Sequence, residues 1–267
     1  MRMAIEERGA GPAVVLVHGL FATGADWDLV ASDLARDHRV LQPDLIGFGA
    51  SDRAGDGEVL WADAQARVLA GALDEMGIDR AALVGHDFGG PVVAELTRLR
   101  PRLATHVAFV ASNLLDDTPI DFPLSLVLPP FVGNVAARAL FSRLSLRMML
   151  RGTGADIGDG EQLRATRTIF LTALRQMRER YGPVQSAAER IDGPALVVWG
   201  GRDEFFSAEQ GARTSALLPH GSLCLLEEAG HFIPRQHPND LARALRELLA
   251  RSPAPRASPP TGGSARR

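Results

Sequence analysis

Short apolar runs alternate along this chain with longer segments whose apolar residues recur at helical spacing. Residues 13–17, 81–84, 104–110 and 195–199 are such runs, and 39–42 and 222–226 are strand-like. A nearly continuous apolar run is what a strand covered on both faces of a parallel sheet requires. Residues 2–8 read as a preceding edge strand. Residues 27–36, 61–76, 88–99, 208–218 and 241–250 read as helices. In the second of these, Val68, Leu69, Leu73 and Met76 form an apolar stripe. The alternation predicts an α/β fold with a mostly parallel sheet covered by helices on both faces.

After Asn113 the rhythm changes. Residues 114–190 hold no clear strand and read as helices broken by Pro119, Pro129-Pro130, Gly152 and Gly154. Asp159 with Gln162 three residues on predicts a capped helix start. Behind it, Leu163, Ile169, Phe170, Leu174 and Met177 fit one helical face. The pattern divides the chain into a core, 1–113 and 191–251, and a helical cap, 114–190. The cap interrupts the chain between two strands, which places it over their C-terminal ends, where ligands bind in open α/β sheets. Residues 252–267 are rich in Pro, Ser, Gly and Arg and read as a disordered tail.

Composition narrows the chemistry. At 267 residues the chain suits one domain with an insertion. All 29 Lys and Arg residues are arginine, which excludes a lysine Schiff base and a P-loop. The net charge of −3 predicts no attraction to nucleic acid or to an anionic membrane. Cys224 is the single cysteine, so no internal disulfide or thiolate metal cluster can form. It reads as a buried strand residue. Neither a signal-type apolar segment nor a bilayer-length run is present, so a soluble cytoplasmic protein is expected, monomer or homodimer. No His/Cys spacing suggests a metal.

The segment Val84-Gly85-His86-Asp87-Phe88-Gly89-Gly90 has the frame of a nucleophile elbow, G-x-S-x-G, with aspartate at the apex. A carboxylate is ionised at neutral pH and attacks saturated carbon, giving an alkyl ester on the enzyme. The plainer reading of Asp87 is a turn aspartate. The glycines on both sides, at the end of an apolar strand, favour the nucleophile.

Four segments follow one another in order: His18-Gly19-Leu20-Phe21, residues 44–52 (DLIGFGASD), residues 85–90 (GHDFGG), and Gly200-Gly201-Arg202-Asp203 with Ala229-Gly230-His231-Phe232. With the cap-sized insertion between them, they make the chain resemble the α/β-hydrolase family over about residues 2–251. The resemblance implies Asp87 as nucleophile and His231 as general base. It implies Asp203 as the carboxylate that orients His231, with Glu204 as a competitor. The backbone N–H groups of Leu20 and Phe88 would form the oxyanion hole. His86 is expected to support the elbow backbone and His18 the oxyanion loop, while His38, His106, His220 and His237 default to surface or packing roles.

Members of this family with an aspartate nucleophile are mainly epoxide hydrolases and haloalkane or haloacid dehalogenases. Phe88 and Leu20 offer no side-chain N–H to a halide, and no arginine follows the nucleophile. Tyr181, the only tyrosine, is a candidate acid for an opening epoxide, with helix-end packing as its alternative. An epoxide is therefore the favoured substrate and an organohalide the runner-up. A non-covalent lyase or cyclase, or a ligand-binding protein on the same fold, remains a third class. The substrate is expected to be small and hydrophobic, with no cofactor. The Arg-rich stretch 164–180 reads as a solvated face. Phe131, Phe141, Met148, Met149, Phe170 and Met177 read mainly as core, with some lining the pocket.

Overall fold

The computed structural model describes residues 1–53, 60–120, 123–129, 131–153, 155 and 157–252. The expected breaks at Pro130 and Gly154, and the tail beyond Ser252, lie outside the described residues. The strands are β1 (Ile5–Arg8), β2 (Ala13–Val17), β3 (Arg39–Pro43), β4 (Ala81–His86), β5 (Ala104–Val110), β6 (Ala195–Gly200) and β7 (Gly221–Leu226). Among the described residues they form one sheet in the order β1-β3-β2-β4-β5-β6-β7. β1 runs antiparallel to β3, and the other pairs are parallel.

Alternate residues of the central strands feed two separate cores. Val15, Val17, Leu83, Phe109, Val197 and Trp199 face one side, and Val14, Leu16, Val84, Val110 and Val198 face the other. Both faces are dry, which is why these strands read as unbroken apolar runs. Helices α1 (Asp28–Leu34) and, at the chain's end, α10 (Pro238–Leu249) cover the second face; α2 (Ala62–Glu75) and α3 (Gly89–Leu99) cover the first. Cys224 departs from expectation. β7 is the last strand of the sheet and alternates between exposed and half-buried residues, so Cys224 is only half-buried.

The inserted cap lies between β5 and β6. It contains α4 (Val132–Leu140), α5 (Arg143–Met149), α6 (Gly160–Arg175) and α7 (Met177–Ala188). Asp159 caps α6 as expected, its side chain accepting from the Glu161 and Gln162 N–H groups. The arginines of α6 are not merely solvated. Arg167 donates to the Phe141 carbonyl at 2.8 Å, and Arg175 to the Val127 carbonyl at 3.1 Å and to Asn134 at 2.9 Å. These bonds fasten the outer cap helices to α6. The chain closes with α8 (Ala208–Leu217) and the short α9 (Ile233–Gln236) ahead of α10.

The strand order positions the site. β2 pairs with β3 on one side and β4 on the other, so the loops after β2 and β4 diverge from adjacent strand ends. That is the crevice in which open α/β sheets bind ligands. The register Val17↔Gly85 puts His18-Gly19-Leu20 directly beside Asp87.

Candidate active site

Asp87 stands between β4 and α3 with φ +48°, a left-handed conformation uncommon for a residue with a side chain. The surroundings fix it there. The Asp87 N–H donates to the Val110 carbonyl at 3.1 Å, and its own carbonyl accepts from the Gly90 N–H at 3.0 Å and from the Ser112 hydroxyl. Gly89 is needed for close approach, because a Cβ there would strike the Val17 carbonyl.

Three sequence-predicted side chains meet around this turn. His231 Nδ1 lies 2.9 Å from Asp203 Oδ2, and His231 Nε2 lies 3.6 Å from Asp87 Oδ1. Asp203 is fully buried, and its other oxygen accepts the Phe205 and Phe206 N–H groups at 2.8 and 3.0 Å. Between the two carboxylates that competed in sequence, His231 contacts Asp203. Glu204 instead approaches Gly230 and lines the adjacent cavity. Leu20 donates its backbone N–H to Asp87 Oδ2 at 2.8 Å. Phe88 opens α3, and its ring lines the cavity.

Burial and charge set the protonation states. Desolvation alone would lower the pKa of His231, but Asp203 and then Asp87 outweigh it and raise the value to about 10. Desolvation would raise the pKa of Asp87, but His231, His86 and the Leu20 N–H hold it below its ordinary value. At neutral pH the site therefore holds an Asp87 carboxylate facing a His231 imidazolium. His86 is pushed down to about 4 by burial and by the His231 charge, so it stays neutral. It donates through Nε2 to the His231 carbonyl at 3.0 Å. It thus braces the loop carrying His231, and not the elbow backbone that the sequence suggested. His18 follows expectation: Nδ1 donates to the Gly19 carbonyl and Nε2 accepts the Leu45 N–H.

A cavity of about 420 Å³ opens above Asp87 and His231. Its walls are largely apolar: Leu20 and Phe88 from the core, and Phe141, Met149, Phe170 and Met177 from the cap. Phe131 and Met148 are neither core nor pocket but lie exposed. Tyr181 from α7 reaches the cavity from the cap side. Burial, followed by the Asp87 charge, raises its pKa well above that of a free phenol, so it stays protonated.

Asn113 was missed in the sequence reading. It lies just beyond β5 and lines the cavity together with Tyr181, whose pKa it lowers slightly against the larger effect of burial. Its Oδ1 accepts the Leu115 N–H at 3.2 Å and the Thr118 hydroxyl at 2.8 Å, which fixes the amide orientation. Its Nδ2 donates to the Leu115 carbonyl at 3.2 Å. A polar residue ending a central parallel strand was the available signal.

The sequence profile described as the alpha/beta hydrolase family matches residues 14–244. The chain belongs to the α/β-hydrolase family. Among curated relatives, the 2-hydroxymuconate semialdehyde hydrolase of Pseudomonas sp. (strain CF600) is 24% identical over 271 residues, covering 95% of this chain and 92% of that protein. Esterase YbfF of Escherichia coli (strain K12) is 27% identical over 252 residues, covering 88% and 92%. Among solved structures, haloalkane dehalogenase DbeA from Bradyrhizobium elkani superposes with a TM-score of 0.76 at 20% identity, over 93% of this chain and 94% of that one. An esterase from Thermogutta terrifontis superposes at 0.69 with 22% identity, over 92% of each chain. This α/β-hydrolase is an enzyme with a buried Asp-His-Asp arrangement beneath a cap. Among the described residues, no cluster of three or more His, Cys, Asp or Glu side chains could hold a metal ion. No described helix is long and apolar enough to cross a membrane.

Proposed function

We propose that this hydrolase cleaves a bond between a saturated carbon and a leaving group through an alkyl ester on Asp87. The observation that carries the reading is the carboxylate at the elbow apex, held ionised, facing the cavity and backed by His231 and Asp203. Asp87 Oδ2 is occupied by the Leu20 N–H, so Oδ1 is the attacking atom. A new C–O bond forms, and the bond to the leaving group breaks with its electron pair. Tyr181, which lines the cavity, donates a hydrogen bond to a halide, which leaves as the anion; an opening epoxide oxygen instead takes the Tyr181 proton, which is replaced by the one His231 releases after esterification.

Esterification removes the negative charge of Asp87. His231 then loses one of the two carboxylates that raise its pKa, and releases its second proton more readily. The neutral imidazole takes a proton from water, and the hydroxide attacks the ester carbonyl carbon. Charge builds on Oδ2, where the N–H groups of Leu20 and Phe88 receive it. Collapse releases an alcohol and restores the Asp87 carboxylate.

The substrate class we favour is an organohalide, because several similar solved structures are of haloalkane dehalogenases. This reverses the order suggested by sequence. The Tyr181 hydroxyl is the specific observation behind a second reading, an epoxide, whose oxygen needs a proton as it leaves. Purified enzyme is assayed against panels of short haloalkanes and epoxides, with released halide and diol measured separately. Halide release supports the first reading, and diol without halide the second. Turnover of neither, in folded protein, counts against both.

A further inference from the structure

The overall negative charge conceals a basic, apolar face on the outside of the cap. Residues 123–153 carry four arginines and no acidic residue. Eight of the twelve large exposed apolar side chains among the described residues lie between Leu126 and Met149. Phe131 is 89% exposed, Val135 68%, Leu144 69% and Met148 64%.

Helical geometry explains how one segment is apolar on two sides. Leu140 and Phe141 turn inward and line the cavity, while Met149 lines it and is also exposed. On α4, Val132, Val135 and Arg138 recur at helical spacing on the outer side, and on α5 Leu144, Arg147 and Met148 do the same. Arg138 and Arg147 have no hydrogen-bonded or ion-paired side-chain partner among the described residues, whereas Arg143 lies near Asp159 and Arg151 lines the cavity. Elsewhere many arginines are paired, among them Arg8, Arg39, Arg100, Arg213 and Arg246.

We propose that this outer face of α4 and α5 docks on an anionic lipid surface. Exposed bulky apolar residues interleaved with arginine are the pattern of helices that lie in the headgroup region rather than span the bilayer. Charge complementarity selects the occupant. A second copy meeting this face across a two-fold axis would bring like-charged arginines together, whereas acidic headgroups neutralise them. This docking is independent of the bond cleaved in the cavity.

The test is flotation of full-length protein with phosphatidylcholine vesicles, with and without phosphatidylglycerol. The expected result is co-flotation with the anionic vesicles only, weakening as salt rises. Arg138→Gln and Arg147→Gln should each weaken it about fivefold. Phe131→Ser combined with Val135→Ser should abolish it, with the melting curve and turnover of a water-soluble substrate unchanged. Wild-type protein left behind by anionic vesicles overturns the proposal. So does binding indifferent to the arginine changes, or a solution dimer dissociated by Phe131→Ser with Val135→Ser.

Discussion

Asp87→Asn should lower the pKa of His231 by about three pH units. The imidazole Nε2 stands 3.6 Å from Asp87 Oδ1. At an effective dielectric of about 20, a charge pair at that distance is worth roughly 4–5 kcal/mol. One pH unit corresponds to about 1.4 kcal/mol. The value should thus fall from about 10 to about 7, with Asp203 still in place. The assay is an NMR titration of the His231 ring nitrogens in wild type and variant. A shift of less than about one unit refutes the reasoning, because Asp87 would then not be the charge whose loss makes His231 a base. Linkage gives a second readout. A pKa raised above the ordinary 6.5 means that the folded state holds the proton more tightly than the unfolded chain. The resulting stability is complete below about 6.5 and is lost as pH rises towards about 10. The Asp87 share has the opposite sign and is lost as pH falls through its depressed folded value. Wild-type thermal midpoints should fall from neutral to alkaline pH, and Asp87→Asn should flatten that slope.

Three substitutions probe the remaining geometry. Gly19→Ala puts a Cβ 2.5 Å from Asp87 Cβ and 2.7 Å from its Oδ2, so single-turnover ester formation should slow about 100-fold while circular dichroism stays native. Asp203→Asn presents an amide N–H₂ either to His231 Nδ1–H or to the Phe205 and Phe206 N–H groups; ester hydrolysis should slow about 1000-fold, and rapid-quench kinetics should show the ester accumulating. Tyr181→Phe removes the phenol proton, and bond cleavage should slow about 100-fold with little change in substrate binding.

The sheet was legible because its central strands are dry on both faces and break off at turn residues. β2 and β5 end where their apolar runs end, and Asp159 marks the start of α6. The elbow, His231 and Asp203 were legible because their loops carry glycines where backbones crowd, in a fixed order. Asp203 was preferred to Glu204 on the G-x-x-D pattern, and in the structure it is Asp203 that lies 2.9 Å from His231. Asn113 was overlooked because its one signal was its place just beyond a central strand, and it meets Tyr181 in the cavity lining only through the fold. His86 was assigned to its own turn because its partner, the His231 carbonyl, is 145 residues away. The outer cap face was masked by averaging, since a chain-wide charge of −3 says nothing about how charges are segregated. Phe131 and Met148 were read as core or pocket because residue type alone does not show which side of a two-faced helix is covered.

The central claim is the covalent step, and intact-protein mass spectrometry of His231→Gln tests it most directly. Without the base, the ester on Asp87 should form and persist when the protein meets its substrate. The account predicts an added mass equal to the haloalkane minus halide, or to the whole epoxide, mapped by peptide analysis to Asp87. Substrate consumption by wild type, with no adduct on Asp87 in folded His231→Gln protein, would contradict it and point to chemistry without a covalent intermediate.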